Sequence, residues 1–218
     1  EFSFQVDTGD AIGIVGPNGA GKTTLFNIVS GDYRPDRGSV RLAGRDVTRL
    51  AANARCRLGI GRTAQIPRPF VGLTVFENAL VGSTFGAGDR LSGTADQAAH
   101  DALVLAGMDT KANLVAGSLR LLDRKRLELA RALATRPSVL LLDEIAGGLT
   151  EAEVLDLVET IRTIRQSGIA IVWIEHIVHA LLRVVDRMIA IDIGRKLIEG
   201  EPAAVMASDE VKAVYLGS

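Results

Sequence analysis

Cysteine is almost absent: Cys56 is the single one in 218 residues. No disulfide framework can form within the chain, and a reducing compartment fits best. Long apolar runs are missing too. Stretches such as 139–142 and 169–174 fall far short of the roughly 18–20 residues a bilayer-spanning helix needs, so nothing here is expected to cross a membrane by itself. Neither sign of charge dominates. Lys+Arg of 25 against Asp+Glu of 26 leaves a net charge of −1, and no global basic field points to nucleic acid or an anionic membrane surface. No charged-then-apolar leader precedes the first apolar run, so secretion is not expected; low-complexity segments and internal repeats are absent as well. What remains is a globular chain with 47% hydrophobic residues. Its length suits one domain, or one domain with an inserted subdomain.

What is there begins with glycine. Residues 16–23 read GPNGAGKT, the pattern G-x-x-x-x-G-K-T, entered by the apolar run 11–15 and left by 24–29, with Gly31 beyond. The entry predicts a buried strand and the exit a helix that Gly31 caps. Glycines at 16, 19 and 21 let successive backbone N–H groups turn inward without a Cβ in the way, and the helix N-terminus adds its positive dipole end. Polyphosphate is the ligand such a cradle takes, and Gly16, Pro17, Asn18, Gly19, Ala20, Gly21, Lys22, Thr23 and Thr24 are its expected contacts. Lys22 is placed to reach the β- and γ-phosphates, and the Thr23 hydroxyl to ligate Mg²⁺ between them.

Phe2 to Val6 alternates in strand fashion, and Ser39 to Leu42 with the Ala43–Gly44 turn predicts another antiparallel strand; together they predict a small β-rich lobe. A short helix is expected over 51–57, then a strand over 60–63 that delivers Gln65 into the loop QIPRPF. From Thr74 to about Leu114, Val75, Asn78 and Ala79 and then Ala98, Ala102 and Leu105 recur at helical spacing between Gly-rich loops. This predicts a helical subdomain, 66–118, inserted in a single domain, 1–218. A further helical segment covers 119–134, after which the buried strand 139–142 ends on Asp143 and Glu144. Thr150 and Glu153 form a T-x-x-E capping box ahead of an apolar stripe at Val154, Leu157, Val158, Ile161 and Ile164, stopped at Gly168. The next strand, 169–174, delivers Glu175 and His176, and two more follow at 188–192 and 195–199. Strands alternating with helices predict the α/β class, with a parallel core sheet covered on both faces.

A phosphate loop needs an acid for its metal, and Asp143 at the end of an apolar strand is placed to supply it through a Mg²⁺-bound water. Glu144, next in the chain, suits a general base or an orienter of the attacking water. The whole pattern resembles the nucleotide-binding subunit of ABC transporters: GPNGAGKTT is similar to the Walker A motif, Gln65 to the Q-loop glutamine, VLLLDE (139–144) to the Walker B motif and His176 in IVWIEH to the switch histidine. The resemblance covers nearly the whole chain. It implies a P-loop NTPase that hydrolyses ATP with Mg²⁺ as a head-to-tail homodimer or heterodimer, each ATP held between the phosphate loop of one subunit and the signature loop of the other. It implies that Gln65 senses Mg²⁺ and the water, that Glu144 polarises that water, that His176 contacts the γ-phosphate, and that Thr23, Gln65 and Asp143 stand at the metal. Implied partners are membrane permease subunits and, indirectly, a solute-binding protein, with no nucleic acid; the implied location is cytoplasmic, on the inner face of the cell membrane. More narrowly, RLGIGRTAQIPRPF, LTVFENALVG, RKRLELARALATRP and IEGEPAAVMASDEVKAVYLG are similar to the ATP-binding proteins of branched-chain amino acid importers. Import of such an amino acid, or of a related small organic solute, is therefore the expected task. His100 and His179 read as surface or packing residues, and Cys56 and Trp173 as packing.

Some positions depart from the family pattern. Where a signature close to LSGGQ is usual, this chain has Leu119, Arg120, Leu121, Leu122 and Asp123. Either Arg120 and the helix N-terminus near Asp123 bind the partner subunit's γ-phosphate, or this half-site is weakened; the intact Glu144 and His176 favour the first. AGGLT (146–150) has no aspartate where one is common, Ile145 stands where proline is common, and Ala64 precedes Gln65 where a larger side chain is common. An adenine-stacking aromatic, usual upstream of the first strand, is not evident after Glu1, and Tyr33 in its DYRP turn reads as a surface residue. Two other functions compete. A soluble ATPase acting on nucleic acid or ribosomes is disfavoured by the near-neutral charge and by the lack of a coiled-coil insertion or second phosphate loop; a regulatory ATP-binding module with weak turnover is disfavoured by Glu144.

Overall fold

The computed structural model describes residues 2–90 and 93–216. Glu1, Leu91 and Ser92 of the expected insert, Gly217 and Ser218 lie outside the described residues. Along the chain come β1 (Ala11–Val15), α1 (Lys22–Ser30), β2 (Arg41–Leu42), β3 (Arg45–Asp46), α2 (Ala52–Leu58) and β4 (Ile60–Arg62). Then follow α3 (Val75–Gly86), α4 (Ala95–Leu105), α5 (Leu121–Ala134), β5 (Val139–Asp143), α6 (Glu151–Gln166) and β6 (Ala170–Ile174). The chain continues through α7 (Val178–Leu181), β7 (Arg187–Asp192), β8 (Arg195–Gly200), α8 (Pro202–Ala207) and α9 (Asp209–Leu216).

The main sheet has the order β4-β5-β6-β1-β7-β8. From β4 to β7 all neighbours are parallel, and β8 turns back antiparallel on β7. Parallel pairing has a direct consequence for function: the carboxyl ends of β1, β4, β5 and β6 share one edge, so the loops that follow them meet there. Ile14 of β1 lies level with Ile174 of β6 and Ile189 of β7, and Asp143 closes β5 opposite Ile174. Every residue of β1 and β6 is buried, as expected of strands covered on both faces. Ala11 and Val15 face the larger apolar cluster, with Leu127, Leu157, Ile161 and Trp173, while Ile12 and Ile14 face a second one with Phe26 of α1. The expected α/β class with its parallel-dominated sheet is what the chain forms, and β2 with β3 makes the small antiparallel sheet.

The segment 2–6 differs from expectation. Phe2, Phe4 and Val6 do pack inward on the second cluster, alternating with exposed Ser3 and Gln5, yet no strand forms. Side chains take the place of a ladder: Lys196 donates to the Ser3 carbonyl at 2.8 Å and Arg187 to that of Gln5. Alternation reports which face is buried, and a strand further needs a neighbouring backbone to pair with.

α3 and α4 pack on each other and on α5. The excursion that carries α3 and α4 closes on itself where Thr74 bridges Val115, with Val75 donating to Leu114 and Ala116 to Leu73. The Thr150–Glu153 box starts α6 as read from the sequence, and a second box, Thr74–Glu77, starts α3.

Candidate functional site

The phosphate loop leaves β1 at the shared edge. A Cβ on Gly16 would sit 2.2 Å from the Ile191 carbonyl of β7, so no larger residue fits without moving backbone. Gly21 is the N-cap of α1 at φ 100° and supplies no side-chain cap, which leaves the first N–H groups of the helix free. Lys22 arches back over the loop. Its ammonium donates to the carbonyls of Gly16 at 2.7 Å and Pro17 at 2.9 Å, and only 5% of the residue is exposed. Burial lowers its pKa, while the carboxylates of Glu144 and Asp143 pull it back up. Thr23 and Thr24 stand exposed on the first turn of α1, as do Asn18 and Gly19 in the loop. The turn after β7 braces the loop from outside: Gly194 N–H donates to the Ala20 carbonyl at 2.8 Å, next to Ile193 at φ 41°.

Opposite the loop stands the end of β5. Asp143 is buried and its Oδ2 accepts from Arg62 Nη2 at 3.0 Å. The other guanidinium nitrogen of Arg62 donates to Asn27, Ser30 and Asp32 at 2.7, 3.0 and 3.1 Å, so one side chain ties the end of α1 to Asp143. Glu144 follows at φ 46°, a left-handed conformation that is uncommon outside glycine and turns its carboxylate away from the strand direction. Its Oε2 accepts from Gln65 Nε2 at 2.5 Å, and its Oε1 lies 2.8 Å from His176 Nε2. Three loops, after β4, β5 and β6, thus deliver Gln65, Glu144 and His176 to one point. His176 is 39% exposed on its side chain and is no core histidine.

Arg120 and Asp123 lie elsewhere, at the start of α5. Arg120 is the exposed N-cap without a side-chain cap bond, and Asp123 is held by Lys111 at 2.6 Å. Among the described residues no hydrogen bond or ion pair joins either of them to the phosphate loop. Leu121 packs over the loop after Glu144, 3.3 Å from where a Cβ on Gly148 would be. His100 and His179 are exposed, and Trp173 is fully buried in the core. Tyr33 is 56% exposed, as its turn suggested.

From the sequence alone Arg62 and Lys125 receive no role, and Glu175 is placed at a strand end without one. Each is a charged residue in or beside a regular element and carries no motif of its own, and each is partly or wholly buried in the fold.

The residues fit a nucleotide with Mg²⁺. A glycine loop that leaves the first N–H groups of α1 uncapped, a lysine bent over it and a buried carboxylate whose charge acts on that lysine suit a polyphosphate whose own oxygens complete the metal's shell. Among the described residues no group of three or more His, Cys, Asp or Glu is placed to hold a metal by itself. Fold and site together define a P-loop NTPase.

Comparison with known proteins takes this to a family. The ABC transporter family matches residues 1–147, and the chain belongs to it. It is 36% identical to the lipopolysaccharide export system ATP-binding protein LptB of Acidithiobacillus ferridurans, over 100% of this chain and 89% of that protein. It is 33% identical to the high-affinity branched-chain amino acid transport ATP-binding protein BraF of Pseudomonas aeruginosa, over 99% of this chain and 90% of that one. Among solved structures, the ADP conformation of an ATP-binding cassette of an ABC transporter superimposes with a TM-score of 0.88 at 28% identity, over 98% of this chain and 90% of that chain. The chain is accordingly an ATP-binding subunit of an ABC transporter, an ATPase whose cofactors are ATP and Mg²⁺. Members of this family work as dimers on membrane permease subunits. Among the described residues no helix is long and apolar enough to cross a membrane.

Proposed function

We propose that this chain drives a small-solute importer, with Glu144 as the residue that orients and activates the attacking water. The observation that carries the hydrolytic assignment is the meeting of Gln65 and His176 on the two oxygens of Glu144. Mg²⁺ bound with ATP neutralises phosphate charge and orients the terminal phosphoryl group. The protein's share is positional. Lys22 and the backbone N–H groups of 16–24 other than Pro17 would hold the phosphates, Thr23, Asp143 and Gln65 would stand at the metal, and His176 would donate to the γ-phosphate once it leaves Glu144. Arg120 and the start of α5 at Asp123 are assigned to the nucleotide of the partner subunit. The excursion 66–118, supported by its closure at Thr74–Val115, is the subdomain that receives the permease from the cytoplasmic side.

For the solute, a branched-chain amino acid or a related small organic molecule is favoured by the runs around Gln65, α5 and α8–α9 together with the match to BraF. The match to LptB favours a second reading, export of a lipid-linked glycan. Loss of the gene separates them. Reduced uptake of labelled leucine, isoleucine or valine with an unchanged outer envelope supports import, and the reverse pattern sinks it. The motor itself is tested by sedimentation of Glu144→Gln with and without Mg-ATP: an ATP-dependent dimer is expected, and bound ATP without a dimer would remove Arg120 and Asp123 from the composite site.

A further inference from the structure

Two buried charges at the hydrolytic edge take no part in the roles assigned above. Glu175 is 2% exposed and Lys125 3%. A carboxylate at such depth is stable only when its lone pairs are satisfied. Glu175 achieves this with backbone: Oε2 accepts from Ala146 N–H at 3.0 Å, and Oε1 from His176 N–H at 2.9 Å and, more weakly, from Ile177 N–H at 3.4 Å. Its two oxygens therefore grip two different loops. Ala146 lies two residues past Glu144, and His176 is the residue whose imidazole meets Glu144. The same pair of loops is joined once more, by Glu144 N–H donating to the Ile174 carbonyl at 2.9 Å.

Lys125 comes from a third element, α5. Among the described residues no carboxylate lies within 4 Å of its ammonium and no hydrogen bond is made by it. The fields it feels are those of Glu175 and then Glu144, which oppose the lowering of its pKa by burial.

We propose that Glu175 is a positioning residue that clasps the loop after Glu144 to the loop of His176. The effect on chemistry is through Glu144 and His176, so the inference rests on their assignment above. The 2.8 Å approach of His176 to Glu144 depends on the relative placement of two loops that leave neighbouring strands, and Glu144 holds a left-handed backbone. A carboxylate is suited to the task because all three of its partners are N–H donors. The amide of glutamine would set an NH₂ group against one of them.

The test compares the whole chain with Glu175→Gln, reading ATP turnover, ATP affinity and amide hydrogen exchange over 144–149. Glu175→Gln should lower kcat about tenfold or more, as a small misplacement of reacting groups does, with ATP affinity within about twofold. Exchange at the Ala146 amide should accelerate while the core strands keep their protection. Unchanged kcat and unchanged Ala146 exchange in Glu175→Gln overturn the clasp. If Glu175→Gln does not fold, Glu175→Asp replaces it, keeping the charge but shortening the reach by one methylene, with the same outcomes. Amide exchange reads the clasp whether or not Glu144 is the water's partner, whereas undiminished turnover in Glu144→Gln would overturn that assignment.

Discussion

Among the helices that begin without a side-chain cap, α1 at Gly21 and α5 at Arg120 make the sharpest contrast. Each leaves free N–H groups and a positive dipole end, yet they differ in what surrounds them. At α1 the approach is cleared by glycine, no acidic residue lies in the first turn, and a buried lysine arches over the loop. At α5 the first turn holds Leu121, Leu122 and Asp123, and Asp123 with Lys111 already occupies the electrostatic niche an anion would take. A helix end alone is therefore a weak anion site. The site at α1 is made by what has been removed from around it and by one cation that cannot leave.

The largest effect expected from breaking the α1 side is on turnover. Glu144→Gln keeps shape and removes the charge that both Gln65 and His176 meet, and kcat should fall by about 10²–10⁴ with ATP still bound. Wild-type turnover in that variant would take Glu144 out of the mechanism. Next comes Lys22→Ala, which removes a charged donor from the cradle and should weaken ATP binding by about 1.5–3 kcal/mol, roughly ten- to a hundredfold. An unchanged titration would mean that the loop amides alone hold the phosphates. His176→Ala should slow hydrolysis while leaving the melting temperature nearly unchanged, because the ring is substantially exposed. A large loss of stability would show a packing role instead.

The same contrast explains how much of the site could be read in advance. GPNGAGKT, the acid pair and His176 are local: each follows a strand or precedes a helix, and the parallel sheet brings the strand ends together without further instruction. Arg62 was not legible because its partner Asp143 is 81 positions away and the pair exists only through the register of β4 on β5. Glu175 and Lys125 failed differently, since isolated charges at a strand end and within a helix read as solvated faces until packing encloses them. Phe2 to Val6 was read correctly for burial and wrongly for pairing. Pattern along one chain carries the first property, and only a neighbouring backbone carries the second.

The α5 side can be sharpened instead of broken. Asp123→Asn withdraws the acid from the first turn and frees Lys111, which should favour an anion there by about 0.3–1 kcal/mol, or two- to fivefold. The readout is the Mg-ATP concentration at which Glu144→Gln dimerises, compared with and without the second substitution. A shift to lower ATP is expected if the partner's nucleotide meets this helix end, and no shift would leave the end of α5 outside the composite site.

The smallest effect comes from helix starts that are closed. α3 and α6 begin with Thr74–Glu77 and Thr150–Glu153 boxes, in which threonine backbone and hydroxyl donors hold each glutamate below its usual pKa of 4.5. Since the folded values are lowered, the contribution of these carboxylates is complete above the unfolded value and is lost as pH falls through the folded ones. Glu77→Gln with Glu153→Gln should thus melt slightly below wild type at neutral pH, and the gap should close as pH is taken below the carboxylate range. Because these ends carry their own acceptors, neither substitution should alter ATP affinity. A gap that persists in acid would mean that the glutamates stabilise by packing, and a change in affinity would mean that capped and open helix ends are not as separate in function as their chemistry implies.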